Sequence, residues 1–217
     1  MTKKTKLLVG SLFVLVIFFV ATFLKNWGTA VSETMLEKHK PEVEALVKNP
    51  KLAKAKCPAI QARLKKHIPD LILSQDKTQV PLAHKLIADC AFAAETFEEA
   101  IEHYKKLSEF EPNSAIWHAQ IAQSYYKLGK SGDRQAFGDA LSPSILATQL
   151  APQDFKVRRL NARVLAALGL KNRAIAAYAE AIRIAPYHLI DPTKKELQSV
   201  MDQKEVSVSI SHARTGE

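Results

Sequence analysis

Three segments of this 217-residue chain end on a proline, Pro112, Pro152 and Pro186, and each sets small or aromatic residues at the same distances before it. The last segment, 155–188, carries Ala162, Leu165, Leu168, Gly169, Ala174, Tyr178, Ala181 and Pro186. The first, 81–114, carries Ala88, Ala94, Phe97, Ala100, Tyr104 and Pro112 in the same register. The middle one, 115–154, has Ala122, Tyr125, Leu128 and Gly129, and resumes with Phe137, Ala140, Ala147 and Pro152 once residues 131–136 are set aside as an insertion. Such spacing suits two antiparallel helices per segment, because small residues let the helices approach and large ones fill the gaps between them. A hairpin of this size leaves one apolar face uncovered, so copies stack and cover one another. Gly129 and Gly169 are expected to end first helices in the left-handed conformation, and the three prolines to stop the second helices.

The pattern resembles the tetratricopeptide repeat (TPR), a helical hairpin of about 34 residues that binds other proteins. The resemblance implies an all-α solenoid of three repeats (81–114, 115–154 and 155–188) and a short right-handed superhelix with one concave face. It also places a set of side chains on that face: Leu82, Lys85, Asp89, Phe92 and Ala93, then Ile116, Ala119, Gln123, Tyr126 and Lys127, then Lys156, Arg159, Arg163, Ala166 and Ala167. Two aromatics and five cations in one groove suit an extended or helical peptide that carries acidic residues or its own terminal carboxylate. The bland alternative is that these charges only keep the concavity soluble. Lys85 and Lys156 match the carboxylate clamp of some TPR proteins, whereas Asp89, Gln120 and Leu160 depart from it.

Residues 1–30 are expected to form a basic stub and a membrane anchor. Leu7 to Leu24 is uncharged, with Lys3, Lys4 and Lys6 before it and Lys25 and Trp27 after it. An uncleaved transmembrane helix fits that length and those flanks; a signal peptide is the rival, against which the apolar run is long and no small-x-small site directly follows. The lysine asymmetry predicts a cytoplasmic amino terminus, with the repeats periplasmic on a single-pass bacterial inner-membrane protein.

The formal charge of +9 is not accompanied by any recognisable nucleic-acid motif. Much of it lies in 31–80, expected to be a degenerate hairpin that caps the stack, with helices opening at Pro41 and Pro58 and a break at Asn49-Pro50. Nine Lys or Arg lie between Glu37 and Asp70 against four acids. They read either as a solvated helix face or as a contact for anionic headgroups or an acidic partner.

The two cysteines are Cys57 and Cys90. The TPR register turns Cys90 toward the preceding hairpin, where Cys57 lies, so the resemblance implies a disulfide in an oxidising compartment; two unpaired buried thiols are the alternative. No metal or cofactor site is expected, since the seven histidines form no i, i+4 pair and no H-E-x-x-H. His84 and His118 are expected to pack inside their hairpins. No catalytic motif points to an enzyme.

Asp191 and Pro192 are expected to open a capping helix, 189–204, with Leu197, Val200 and Met201 against the last repeat. In 205–217, Val206, Val208 and Ile210 alternate with serines, a strand period without a partner; this tail reads either as disordered or as a segment that adds to a partner's sheet. The whole reads as a membrane-anchored interaction scaffold that holds a partner polypeptide, an assembly factor for an envelope or cytochrome complex. Its architecture is similar to the TPR module of bacterial cytochrome c biogenesis factors. The alternative is a permanent accessory subunit of a larger membrane complex.

Overall fold

The computed structural model describes Val20, residues 36–73 and residues 78–202, and among these residues regular structure is entirely helical. The chain divides into two compact units, one up to Asn113 and the other from Ser114.

The first unit contains α1 (36–47), α2 (Pro50–Leu73), α3 (Gln79–Ala94) and α4 (Phe97–Phe110). Helix α1 buries Leu36, His39, Val43 and Leu46, a stripe at alternating spacings of three and four. Its Leu36, Val43 and Leu46 join Ala53, Cys57, Ile60 and Leu64 of α2 and Ala83, Leu86, Ile87 and Cys90 of α3 in one core. Cys57 and Cys90 are bonded as a disulfide across α2 and α3, with their Cα atoms 5.4 Å apart. Beside it, Lys54 pairs with Glu95 at 2.6 Å, Gln61 donates to Glu99 at 2.9 Å, and Lys65 also pairs with Glu99.

The helix starts in this unit differ from those expected. The break at Asn49-Pro50 is present, and it opens α2: the Asn49 side chain accepts from the Leu52 backbone N–H at 3.3 Å, and Pro50 takes the first helical position, where no N–H is required. Pro41 and Pro58 open nothing, since α1 runs through the first and α2 through the second and through Pro69. Each interior proline removes one backbone hydrogen bond, and in α2 the buried stripe on both sides of Pro58 outweighs that loss.

The second unit contains α5 (Ala115–Ser131), α6 (Ala136–Leu150), α7 (Phe155–Ala167), α8 (Lys171–Arg183) and α9 (Tyr187–Met201). Consecutive helices pack on one another, and Ala122, Ala140, Ala147, Ala162, Ala174 and Ala181 are all fully buried. Pro152 follows α6, and Pro186 lies between α8 and α9. Helix α7 ends on a glycine-based cap: Gly169 has φ 73, its N–H reaches the Ala166 carbonyl at 3.0 Å, and the Leu170 N–H reaches that of Leu165 at 3.0 Å. Leu165 and Leu170 meet in the core behind it.

Gly129 does not end its helix. Helix α5 runs for 17 residues, against 13 in α7, and continues past Gly129 to Ser131, so Gly129 is an interior, buried residue and the positive φ falls at Gly132. Its role is space, since a Cβ at Gly129 would lie 2.6 Å from the Phe137 ring. Helix α9 likewise begins four residues before Asp191, directly after Pro186, with the Leu189 N–H bonded to the Pro186 carbonyl at 2.8 Å. The helix thus starts at the earlier proline, and Asp191 and Pro192 fall in its interior.

The expected membrane anchor and inner-membrane placement require correction. Among the described residues no helix is long and apolar enough to cross a membrane, and the expected span, 7–24, lies outside them except for Val20. The fold class is therefore all-α with no described span, and neither the anchor nor the cytoplasmic and periplasmic topology built on it is carried further. The tail 205–217 also lies outside the described residues.

Candidate functional site

Helix α7 starts where Asp154 accepts hydrogen bonds from the Lys156 and Val157 backbone N–H groups, at 2.7 and 3.2 Å. This N-cap fixes the first turn. Its apolar stripe, Phe155, Val157, Leu160, Ala162, Val164 and Leu165, is buried, which leaves Arg159 and Arg163 one turn apart on another face. Both guanidinium groups close on a single carboxylate, Glu196 of α9. Arg163 donates through Nε to Oε2 at 3.0 Å and through Nη2 to Oε1 at 2.6 Å. Arg159 donates through Nε to Oε2 at 3.3 Å and through Nη2 to Oε1. The Tyr178 hydroxyl of α8 adds a fifth hydrogen bond, to Oε2 at 3.2 Å. Arg159 also lies over the Phe155 ring, 5.8 Å from its centroid.

Two forked, two-point contacts on one carboxylate form a strong carboxylate-binding arrangement. Partial burial pushes the Glu196 carboxyl up, but the hydrogen bonds and charges of Arg163 and Arg159 outweigh this and hold it at about 2. The Glu196 hydrogen bond raises Arg163, and burial together with the Glu196 charge raises Tyr178. With Glu196 ionised, two cations face one anion, so the cluster keeps one unit of positive charge.

The other side chains expected in the groove have separate settings. In the first unit, Lys85 pairs with Asp89 at 2.5 Å, and Asp89 accepts from the Tyr104 hydroxyl at 2.8 Å. Burial, and then the Asp89 charge, raise the Tyr104 phenol. Phe92 meets Phe97 edge-on, with centroids 5.7 Å apart. In the second unit, Tyr126 lies 5.7 Å from Phe137 and belongs to the cluster around Ala122, Leu160 and Val164. Gln123 is half-buried, and Lys127 and Lys156 are exposed.

Neither Glu196 as a ligand nor the pairing of His103, one of the scattered histidines, with His84 is part of the sequence expectation. Thr193, Glu196, Leu197 and Val200 stand at i, i+3, i+4 and i+7, the spacing of one helix face. Thr193 and Val200 are buried and Leu197 packs beside Val200, while Met201, expected to join them, is 47 % exposed. His84 and His103 meet with their Nδ1 atoms 2.7 Å apart, so one ring donates and the other accepts. Burial first, and then the charge of its partner histidine, lower His84 to about 4, and burial lowers His103. Among the described residues no three His, Cys, Asp or Glu side chains converge as metal ligands.

No family model matches the chain, and no curated protein matches it.

Proposed function

We propose that this chain is a TPR-like protein-interaction scaffold that binds a partner polypeptide through acidic groups. The observation that supports this best is the clamp itself: Arg159, Arg163 and Tyr178, placed by two helices of one repeat, grip a carboxylate carried by a helix. Serial helix pairs with fully buried alanines at matching offsets support the repeat reading. The reading is of a binding protein, not a catalyst.

The test uses exposed cations outside the clamp. Tagged full-length chain, purified at low salt, is expected to carry a polypeptide that elutes as salt rises. The Lys127→Glu/Lys156→Glu variant is expected to keep its helical signal and to release that polypeptide at markedly lower salt. A variant that retains the same polypeptide at wild-type salt would remove the acidic-partner reading. Stoichiometric recovery favours a permanent subunit, and substoichiometric recovery of several clients favours an assembly factor.

A further inference from the structure

Helix α9 supplies the clamp's ligand from within the chain, and it buries fewer of its residues than the helix that carries the arginines. Only Thr193 and Val200 of its residues are buried, against six in α7. Leu197 packs beside Val200 onto Ala162, Leu165, Ala174 and Tyr178. Lys194, Lys195, Gln198, Ser199 and Asp202 are exposed on its outer side. The helix is held by one charge cluster, by the buried Thr193 and Val200 and by the half-buried Leu189, Ile190 and Leu197, on a site that keeps a surplus positive charge.

We infer that α9 is an internal stand-in for the partner, and that the surface beneath it takes an acidic amphipathic helix of another protein by exchange with α9. This rests on the scaffold reading above and gives it a specific partner chemistry. The required pattern is the one α9 displays: a glutamate or aspartate for Arg159 and Arg163, an apolar residue one position later, and a second apolar residue four positions later, over Ala162 and Leu165. A small residue three positions before the acid occupies the place of Thr193. A helix with this pattern meets the same five donors and the same apolar floor as Glu196, Leu197 and Val200. An incoming helix restores the contacts that α9 gives up, so the exchange costs the chain chiefly the advantage of a tethered helix over a free one.

The probe is a fluorescent peptide with the sequence of residues 187–202, compared with the same peptide carrying Glu196→Gln. The protein is the full chain with α9 loosened by Glu196→Ala, Leu197→Ala and Val200→Ala. The loosened chain is expected to bind the native-sequence peptide at least tenfold more tightly than the Gln peptide, and at least tenfold more tightly than the unaltered chain does. Arg159→Ala/Arg163→Ala in the loosened chain is expected to abolish the difference between the peptides. Equal binding of both peptides, or equal binding by loosened and unaltered chains, overturns the inference. Should the loosened chain lose its helical signal, the Glu196→Ala chain replaces it with the same expected order. If the salt-eluted partner still co-purifies but excess 187–202 peptide does not displace it, the exchange fails while the scaffold reading stands; if no partner is retained, the scaffold reading fails first.

Discussion

Tyr104 donates its hydroxyl proton to Asp89 at 2.8 Å across the first repeat-like helix pair, and Tyr178, at the equivalent place in the last pair, donates to Glu196. The same aromatic position thus anchors an acid in both units, from the facing helix in one and from the following helix in the other. The partners differ in number. Asp89 has Lys85 and Tyr104, whereas Glu196 has four guanidinium contacts besides Tyr178. Tyr104→Phe is therefore expected to destabilise the first unit by roughly 1.5–3 kcal/mol, the size of a hydrogen bond to a charged group, and Tyr178→Phe the second by about 0.5–1 kcal/mol. Denaturant melts of the two variants, compared with wild type, check the order.

Two groups of lowered pKa divide the acid response into two windows. Burial makes His84 and His103 harder to protonate in the folded chain, so the unfolded chain binds more protons below their ordinary value of 6.5 and stability falls with pH from there, for His84 toward about 4. Glu196 stays ionised when folded, so its contribution is present above 4.5 and disappears as pH falls toward about 2. His84→Phe is expected to flatten the upper window, and Glu196→Gln the lower. Chemical unfolding followed from neutral pH down to about 2 covers both windows and separates them.

The helix pairs were legible because small residues that pack between helices leave a size signature: Ala88, Ala100, Ala162, Ala174 and Ala181 are fully buried. The clamp was not, although Arg159 and Arg163 were singled out. Their ligand is a charged residue on a packed helix face, and a search for apolar stripes at helical spacing picks Leu197, Val200 and Met201 while passing over Glu196. Gly129 misled for another reason. A glycine near an expected helix end suggests a cap, but here the helix continues past it and the missing side chain makes room for the Phe137 ring. Likewise His84 and His103 are 19 residues apart, a spacing that no metal or catalytic motif flags, and only the pairing of α3 with α4 brings them together.

Three glycines in the second unit are expected to respond differently to alanine. Gly138 lies in α6 with nothing within 4 Å of an added Cβ, so Gly138→Ala should stabilise by about 0.4–1 kcal/mol. Gly169 is equally open but sits at φ 73, so Gly169→Ala should cost roughly 1–2 kcal/mol through backbone strain. Gly129→Ala drives a methyl to 2.6 Å from the Phe137 ring and should cost roughly 1–3 kcal/mol through overpacking. Thermal midpoints of the three variants, measured at one protein concentration, check both sign and order.

The disulfide closes a loop between residues 33 apart and ties the α1–α2 pair to α3. In the chain-entropy account, such a loop restricts the unfolded state by roughly 3–4 kcal/mol, a contribution lost when the bond is absent. The surrounding ion pairs offset little of that loss, because the Lys54–Glu95 pair is more than half exposed on the lysine side and about half on the other. The core across α2 and α3 remains to hold the pair in place: Ala53, Ile60, Leu64, Ala83, Leu86 and Ile87 are buried without help from sulfur. Cys57→Ala/Cys90→Ala is thus expected to stay folded and helical at low temperature, to melt earlier, and to gain hydrogen-exchange rates throughout α1 and α2 before α4. Uniform loss of protection across α1 to α4 would show instead that the four helices open as one cooperative unit, with the bond setting only its overall stability.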